Sequence, residues 1–143
     1  MRSLLPPLLL ALALAGPAAA ETRQVSGFTG INVSDRVRVE ITTGQAHAVE
    51  VTGAHAHRIR TQVRGRTLYI SDANRPWFGE TPALDAEVRI TAPLVRTVSA
   101  ARGADVQGRL SGPCAELDLA VAMGALAQLS AAECETIEAE ASM

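Results

Sequence analysis

Cys114-Ala-Glu-Leu117-Asp-Leu119-Ala-Val121-Ala-Met123 is echoed by Cys134-Glu-Thr-Ile137-Glu-Ala139-Glu-Ala141-Ser-Met143, twenty residues further on. The cysteine, the first aliphatic, the small inner residues and the methionine keep their places. Upstream, Val98-Ser-Ala-Ala-Arg-Gly103-Ala104 has the cadence of Leu119-Ala-Val-Ala-Met-Gly124-Ala125 at an offset of 21. A period of about 20 to 25 residues without helix–turn–helix signals marks stacked coils of β-structure. The chain is therefore predicted to be all-β: a single-domain β-solenoid or parallel β-helix-like stack, right-handed by the general chirality of such crossovers.

The rest of the chain agrees with strands. Val37, Val39 and Ile41 alternate with Arg38 and Glu40; Val49 and Val51 flank Glu50; Leu68 and Ile70 flank Tyr69; Val88 and Ile90 flank Arg89. Period-two alternation of β-branched residues means strands with one buried face. Turn signals separate them at Thr43-Gly44, Thr52-Gly53, Arg64-Gly65, Ala92-Pro93, Arg102-Gly103 and Ser111-Gly112-Pro113. No ten-residue helical pattern intervenes, which argues against βαβ units. Residues 114–143 are rich in the helix formers Ala, Glu and Leu, so a helix is the alternative there. The alternation of Leu117, Leu119 and Val121, the interrupting Gly124 and the repeat itself favour strands.

Residues 1–20 stand outside this pattern. Arg2 supplies a positive start, Leu4 to Ala15 an apolar run, and Ala18-Ala19-Ala20 a small-residue cleavage site. The run is short for a membrane span and carries prolines at 6, 7 and 17, so a signal peptide cut before Glu21 is expected. The domain then runs over residues 21–143. Thirteen basic residues less Arg2 leave twelve, all arginine, against fifteen acids. That balance is no electrostatic footprint for nucleic acid. No later run is apolar enough to cross a bilayer. Aromatics are scarce, so Val, Ile, Leu and Ala must build the core.

With these pieces in hand, the chain resembles a known family. Phe28-Thr-Gly30-Ile31-Asn32-Val33, followed by Val37-Arg-Val39-Glu-Ile41-Thr-Thr-Gly44, looks like the opening of the head GIN domain of putative auto-transporter adhesins. The later pieces fit in order: Val49-Glu-Val51, Arg66-Thr-Leu68-Tyr-Ile70, Val88-Arg-Ile90-Thr-Ala-Pro93, and the turns at Gly103-Ala104 and Gly124-Ala125. The resemblance implies an exported β-solenoid-like module with no assigned catalysis. By the repeat, a further Gly-small turn should follow Met143, so more coils are expected in the complete domain.

Candidate sites are few. Cys114 and Cys134 hold equivalent repeat positions, so stacking would put them about 4.8 Å apart on adjacent strands. That separation suits a disulfide, and export would favour it. The alternative is a buried pair of thiols. Two lone cysteines do not make a zinc site. Asn74-Arg75-Pro76-Trp77-Phe78-Gly79 lies in the longest irregular stretch and holds the only tryptophan. Arg75, Trp77 and Phe78 could stack on a sugar or anchor a protein, unless the rings plug the end of a coil. His47, His55 and His57 lack a convincing third ligand and read as solvated loop. Glu133, Glu135, Glu138 and Glu140 read as a solvated face, not a calcium site. Asp35 and Asp72 form no evident cluster with the many arginines.

No nucleophile elbow or Cys–His arrangement is recognisable, so no catalytic residue, metal or cofactor is expected. The expected function is that of a non-enzymatic envelope module, in the periplasm or at the cell surface of a bacterium, that binds or scaffolds. Its partner would be a protein or glycan. The alternatives are a carbohydrate-active β-helix enzyme acting on an acidic polysaccharide, and a periplasmic accessory of an envelope stress or signalling system.

Overall fold

The computed structural model describes residues 20–74, 84–131 and 133–143. Twelve strands form two mixed, six-stranded sheets. The strands are β1 (Glu21–Arg23), β2 (Gly30–Val33), β3 (Arg38–Thr43), β4 (Ala48–Thr52), β5 (Ile59–Arg64), β6 (Thr67–Asp72), β7 (Glu87–Ala92), β8 (Thr97–Ala100), β9 (Asp105–Arg109), β10 (Cys114–Ala122), β11 (Leu126–Ser130) and β12 (Cys134–Ser142). One sheet has the order β1-β4-β7-β3-β9-β11 and the other β12-β10-β8-β2-β6-β5. Among the described residues no closed barrel forms. Among the described residues the only helical turn is a short 3₁₀ segment, Ala56–Arg58, between β4 and β5.

Alternation decides which side chains go inside. In β3 the burial pattern follows the sequence: Val39 and Ile41 are buried, Arg38 and Glu40 exposed. The inner rows of both sheets merge into one apolar cluster that includes Ile31, Val33, Val39, Ile41, Leu68, Ile70, Val88, Ile90, Val98, Val106 and Leu117. Ile31 of the Gly30-Ile31-Asn32 triplet lies in β2, between β6 and β8, at the middle of its sheet.

The offset of 21 is realised as strand register. β8 and β10 run parallel with Val98 opposite Leu119 and Ala100 opposite Val121. The offset of 20 is realised one strand further out: β10 and β12 run parallel with Leu117 opposite Ile137 and Leu119 opposite Ala139. No helix forms over 114–131 or 133–143.

The repeated turns are corners from one sheet to the other. Arg102 and Gly103 have φ of 55° and 77°, Met123 and Gly124 have 54° and 77°. Asp35 and Arg36, at the matching corner between β2 and β3, both have 65°. Each corner closes with a backbone bond, Val37 N–H to Ser34 O, Ala104 N–H to Ala101 O and Ala125 N–H to Ala122 O. The corners also bond to one another: Arg36 N–H donates to Arg102 O and Gly103 N–H to Met123 O, both at 3.1 Å.

The stack departs from simple sequential order in its N-terminal half. β6 and β7 lie beside β2 and β3 on the side away from β8 and β9. β5 pairs antiparallel with β6, and β4 with β7 and β1. Antiparallel neighbours can be joined by two residues, as Gly65-Arg66 joins β5 to β6, whereas parallel neighbours need a longer crossover. The period of 20 to 25 is therefore a property of the C-terminal half.

Candidate functional site

The outer face of the sheet β12-β10-β8-β2-β6-β5 segregates charge. Inward residues on each strand are fixed by the apolar rows, so their neighbours point out. On β5 this exposes Arg60, Gln62 and Arg64; on β10, Glu116 and Asp118; on β12, Glu138 and Glu140. Between them lie the small polar residues of β6, β2 and β8, such as Asn32, Thr97 and Ser99. At the basic end the Arg64 guanidinium carbon sits 4.4 Å above the Tyr69 ring centroid, a cation–π contact. The other sheet mixes its charges: Arg38 lies 3.9 Å from Asp105, and Arg89 4.0 Å from Glu87.

At the acidic end, carboxylate oxygens of Glu116, Asp118 and Glu138 all lie within 4.8 Å of one another. The charge of Asp118, its hydrogen bond, the charge of Glu138 and slight desolvation together raise the Glu116 carboxyl above its ordinary value. Three exposed carboxylates are hard oxygen ligands, but calcium takes six to eight oxygens, and these three alone supply too few. Beside them a depression of about 470 Å³ is lined by Leu94, Arg96, Thr97, Pro113, Glu116 and Asp118.

Cys114 and Cys134 lie directly opposite each other in the β10–β12 ladder. They are bonded through their sulfurs, with Cα atoms 4.3 Å apart. Both half-buried side chains pack against the apolar cluster. His47 and His55 lie in loops as expected but are half-buried, whereas His57 is exposed on the 3₁₀ turn. His47 packs edge-on against Phe28 at 4.7 Å, with Nε2 2.9 Å from Phe28 O. His55 Nδ1 accepts a 2.8 Å bond from the Asp85 N–H, and its ring lies 6.4 Å from that of His57. None of the three joins a metal-binding group among the described residues. Glu138 and Glu140 share an outer face, as expected. Arg75, Trp77 and Phe78 lie outside the described residues.

Sequence reasoning missed one pair. Asp72 follows Leu68 and Ile70 at the inward spacing, which puts a carboxylate on the buried face. Its side chain is 0% exposed, and Arg58 Nη2 reaches it at 2.6 Å. Arg58 Nε and the Asn74 N–H add bonds of 3.2 and 2.9 Å. Burial alone would raise this carboxyl, but the Arg58 hydrogen bond, the Asn74 N–H and the Arg58 charge outweigh it and hold it below the ordinary range. The alternation Leu68-Ile70-Asp72 was the readable signal. Asp35 is also buried, with Oδ1 3.7 Å from Arg102 Nη1.

The family model described as "Putative auto-transporter adhesin, head GIN domain" matches residues 27–143. A search of curated proteins found no match. Among solved structures, a putative adhesin from Bacteroides fragilis superposes with a TM-score of 0.59 at 12% identity, covering 87% of this chain and 76% of that one. A putative adhesin from Parabacteroides merdae gives 0.56 at 14% identity over 85% of this chain and 58% of that one. A putative lipid binding protein from Parabacteroides distasonis gives 0.55 at 14% identity over 87% and 61%. At such identities the likeness concerns the fold. The chain thus spans about three fifths of two of these three relatives.

Proposed function

The chain belongs to the head GIN domain family of putative auto-transporter adhesins, and from that premise we propose that it is an exported, non-enzymatic binding module of the bacterial cell envelope. The observation that carries this reading is the broad outer face of the sheet β12-β10-β8-β2-β6-β5, with an arginine-bearing end, a polar middle and an acidic end. Such a face offers extended contact area, and among the described residues its one converging group is the exposed carboxylate cluster of Glu116, Asp118 and Glu138. A two-sheet scaffold with regular outward rows of side chains suits recognition of a protein or glycan surface.

Three finer elements belong to the same proposal. Residues 1–20 act as a signal peptide; the first described strand begins at Glu21, next to the expected cut. The run β8 to β12 is a right-handed β-solenoid, supported by alternate addition of strands to the two sheets and by the stacked corners. The Cys114–Cys134 bond forms on export into an oxidising compartment.

Arg75, Trp77 and Phe78 remain the proposed contact residues. The test is Trp77→Ala, probed for retention on immobilised envelope glycans and envelope protein extracts. The variant should keep the wild-type thermal melt and lose retention. A variant that unfolds would mark Trp77 as a core plug, and one that binds as well as wild type would remove these three residues from the site.

A further inference from the structure

A polar dish lies on the outer face of the sheet β1-β4-β7-β3-β9-β11. It is centred on β3 and β9, interior strands with ladder partners on both sides. The buried rows fix what faces outward. Val39, Ile41 and Val106 point in, so Glu40, Thr42, Gln107 and Arg109 point out. Register puts Glu40 beside Gln107, Gln107 beside Gln128 of β11, and Thr42 beside Arg109. One row is thus Glu40-Gln107-Gln128, and the next is Thr42-Arg109. The depression among them measures about 460 Å³, within the range of small-molecule sites.

Backbone shapes the floor. Gly108 faces inward without a side chain, and a Cβ there would stand 2.6 Å from Ile41 O. Only glycine lets β9 approach β3 so closely at this point. Just beyond, Leu110 N–H donates to Ser130 O at 2.7 Å and Ser111 N–H to Thr43 Oγ1 at 3.0 Å. These bonds tie the chain after Arg109 to the ends of both neighbouring strands, so the guanidinium rises from a fixed base. Charge gives the dish a direction. Arg109 forms no ion pair among the described residues. Nor does Glu40, whose ladder neighbour Arg89 lies 4.0 Å from Glu87 instead. The cation and the carboxylate sit diagonally across β3 and β9, with the two glutamine amides alongside.

We propose that this dish binds a carboxylate-bearing sugar, a uronate unit of an acidic glycan. The planar Arg109 fork matches a carboxylate bidentately. Gln107, Gln128 and Thr42 each offer a donor and an acceptor, and Glu40 only accepts. A pyranose uronate supplies the complement: its carboxylate for Arg109, hydroxyls that donate and accept for the amides and Thr42, and hydroxyl donors for Glu40. The diagonal keeps the ligand's carboxylate away from Glu40. An acidic peptide fits less well. An extended peptide joins a sheet by ladder pairing, and β3 and β9 have no free ladder side. The inference rests on the reading of the chain as a binding module, and it uses a separate face.

The test is calorimetric titration of the full chain with three probes: an oligomer of galacturonic acid, the same oligomer methyl-esterified, and an acidic peptide of equal charge. The free oligouronate should bind at least about tenfold tighter than the ester, which cannot accept a charge-assisted fork from Arg109. Arg109→Gln should remove that preference while keeping the wild-type melt. Gln107→Ala should weaken acid and ester alike. Backbone amide NMR shifts on binding should concentrate at Thr42, Gln107 and Arg109 of the wild type, a readout that needs no variant to fold. The proposal is overturned by equal affinity for acid and ester, or by an unchanged preference in Arg109→Gln. Wild-type affinity in Gln107→Ala, equally tight binding of the peptide, or shifts centred elsewhere would overturn it too. Retention on immobilised envelope glycans and extracts is measured in parallel. A wild type retained there but indifferent to the uronate overturns this inference alone. One that binds the uronate without being retained supports it and removes only the envelope reading.

Discussion

Asp72 shows how one inward position can carry polar chemistry into an aliphatic core. Its carboxylate is buried, and Arg58 holds it in the charged form below the ordinary carboxyl range. A depressed folded-state pKa contributes stability that is present above the unfolded value, about 3.9, and is lost as pH falls through the lower folded value. Asp72→Asn should therefore lower the urea midpoint at pH 7. The gap from wild type should shrink below about pH 4, as the wild-type carboxyl takes its proton. Equal midpoints at pH 7 would show that Arg58 finds its partner elsewhere. Gly103 makes a different demand. Its φ is 77°, and a Cβ there would stand 3.0 Å from Arg36 Cγ on the stacked corner. Gly103→Ala should cost on the order of 1 kcal/mol or more from the left-handed backbone alone. Thermal melts of the two proteins would check it.

At the scale of the element, β10 and β12 meet through three kinds of interaction that the repeat places together, two attractive and one repulsive. The backbone ladder sets Cys114 against Cys134, Leu117 against Ile137, and Glu116 and Asp118 close to Glu138. The first pair closes a loop of 20 residues, which contributes roughly 3 kcal/mol in the chain-entropy model. Cys134→Ser should lower stability by about that amount and expose one labelled thiol at Cys114 on denaturation. Two labelled thiols in the wild-type exported protein would refute the bond. The third set works against the ladder. Repulsion from Asp118 and Glu138 raises the Glu116 carboxyl, so its penalty sets in as pH rises through the carboxylate range and is relieved by acid. Glu138→Gln should bring the Glu116 titration closer to its ordinary value in carboxyl-detected NMR. It should also raise the melting temperature slightly at pH 7. An unchanged titration would place the two side chains apart in solution.

At the scale of the whole molecule, two mixed sheets share one aliphatic cluster while only one of them sorts its outward charges from basic to acidic. Export belongs to this scale as well. Mass spectrometry of the exported protein should find a chain starting at Glu21, and an intact Met1 in the membrane fraction would remove the envelope reading. The all-β class was readable from the chain alone, because period-two alternation needs no knowledge of neighbours. So was the register of β8, β10 and β12, because a repeat of 20 or 21 maps equivalent residues onto adjacent strands. The family was legible from Phe28–Val33 and the ordered turns. Folding in three dimensions was needed to place β6 and β7 on the far side of β2 and β3, and to add β1, β4 and β5 by antiparallel pairing. These strands do not repeat, so no offset in the chain encodes their partners. The same holds for Arg58 with Asp72, and for the separation of Arg60 and Arg64 from Glu138 and Glu140. Charges distant in sequence acquire a direction only when the sheet order places their strands at opposite edges.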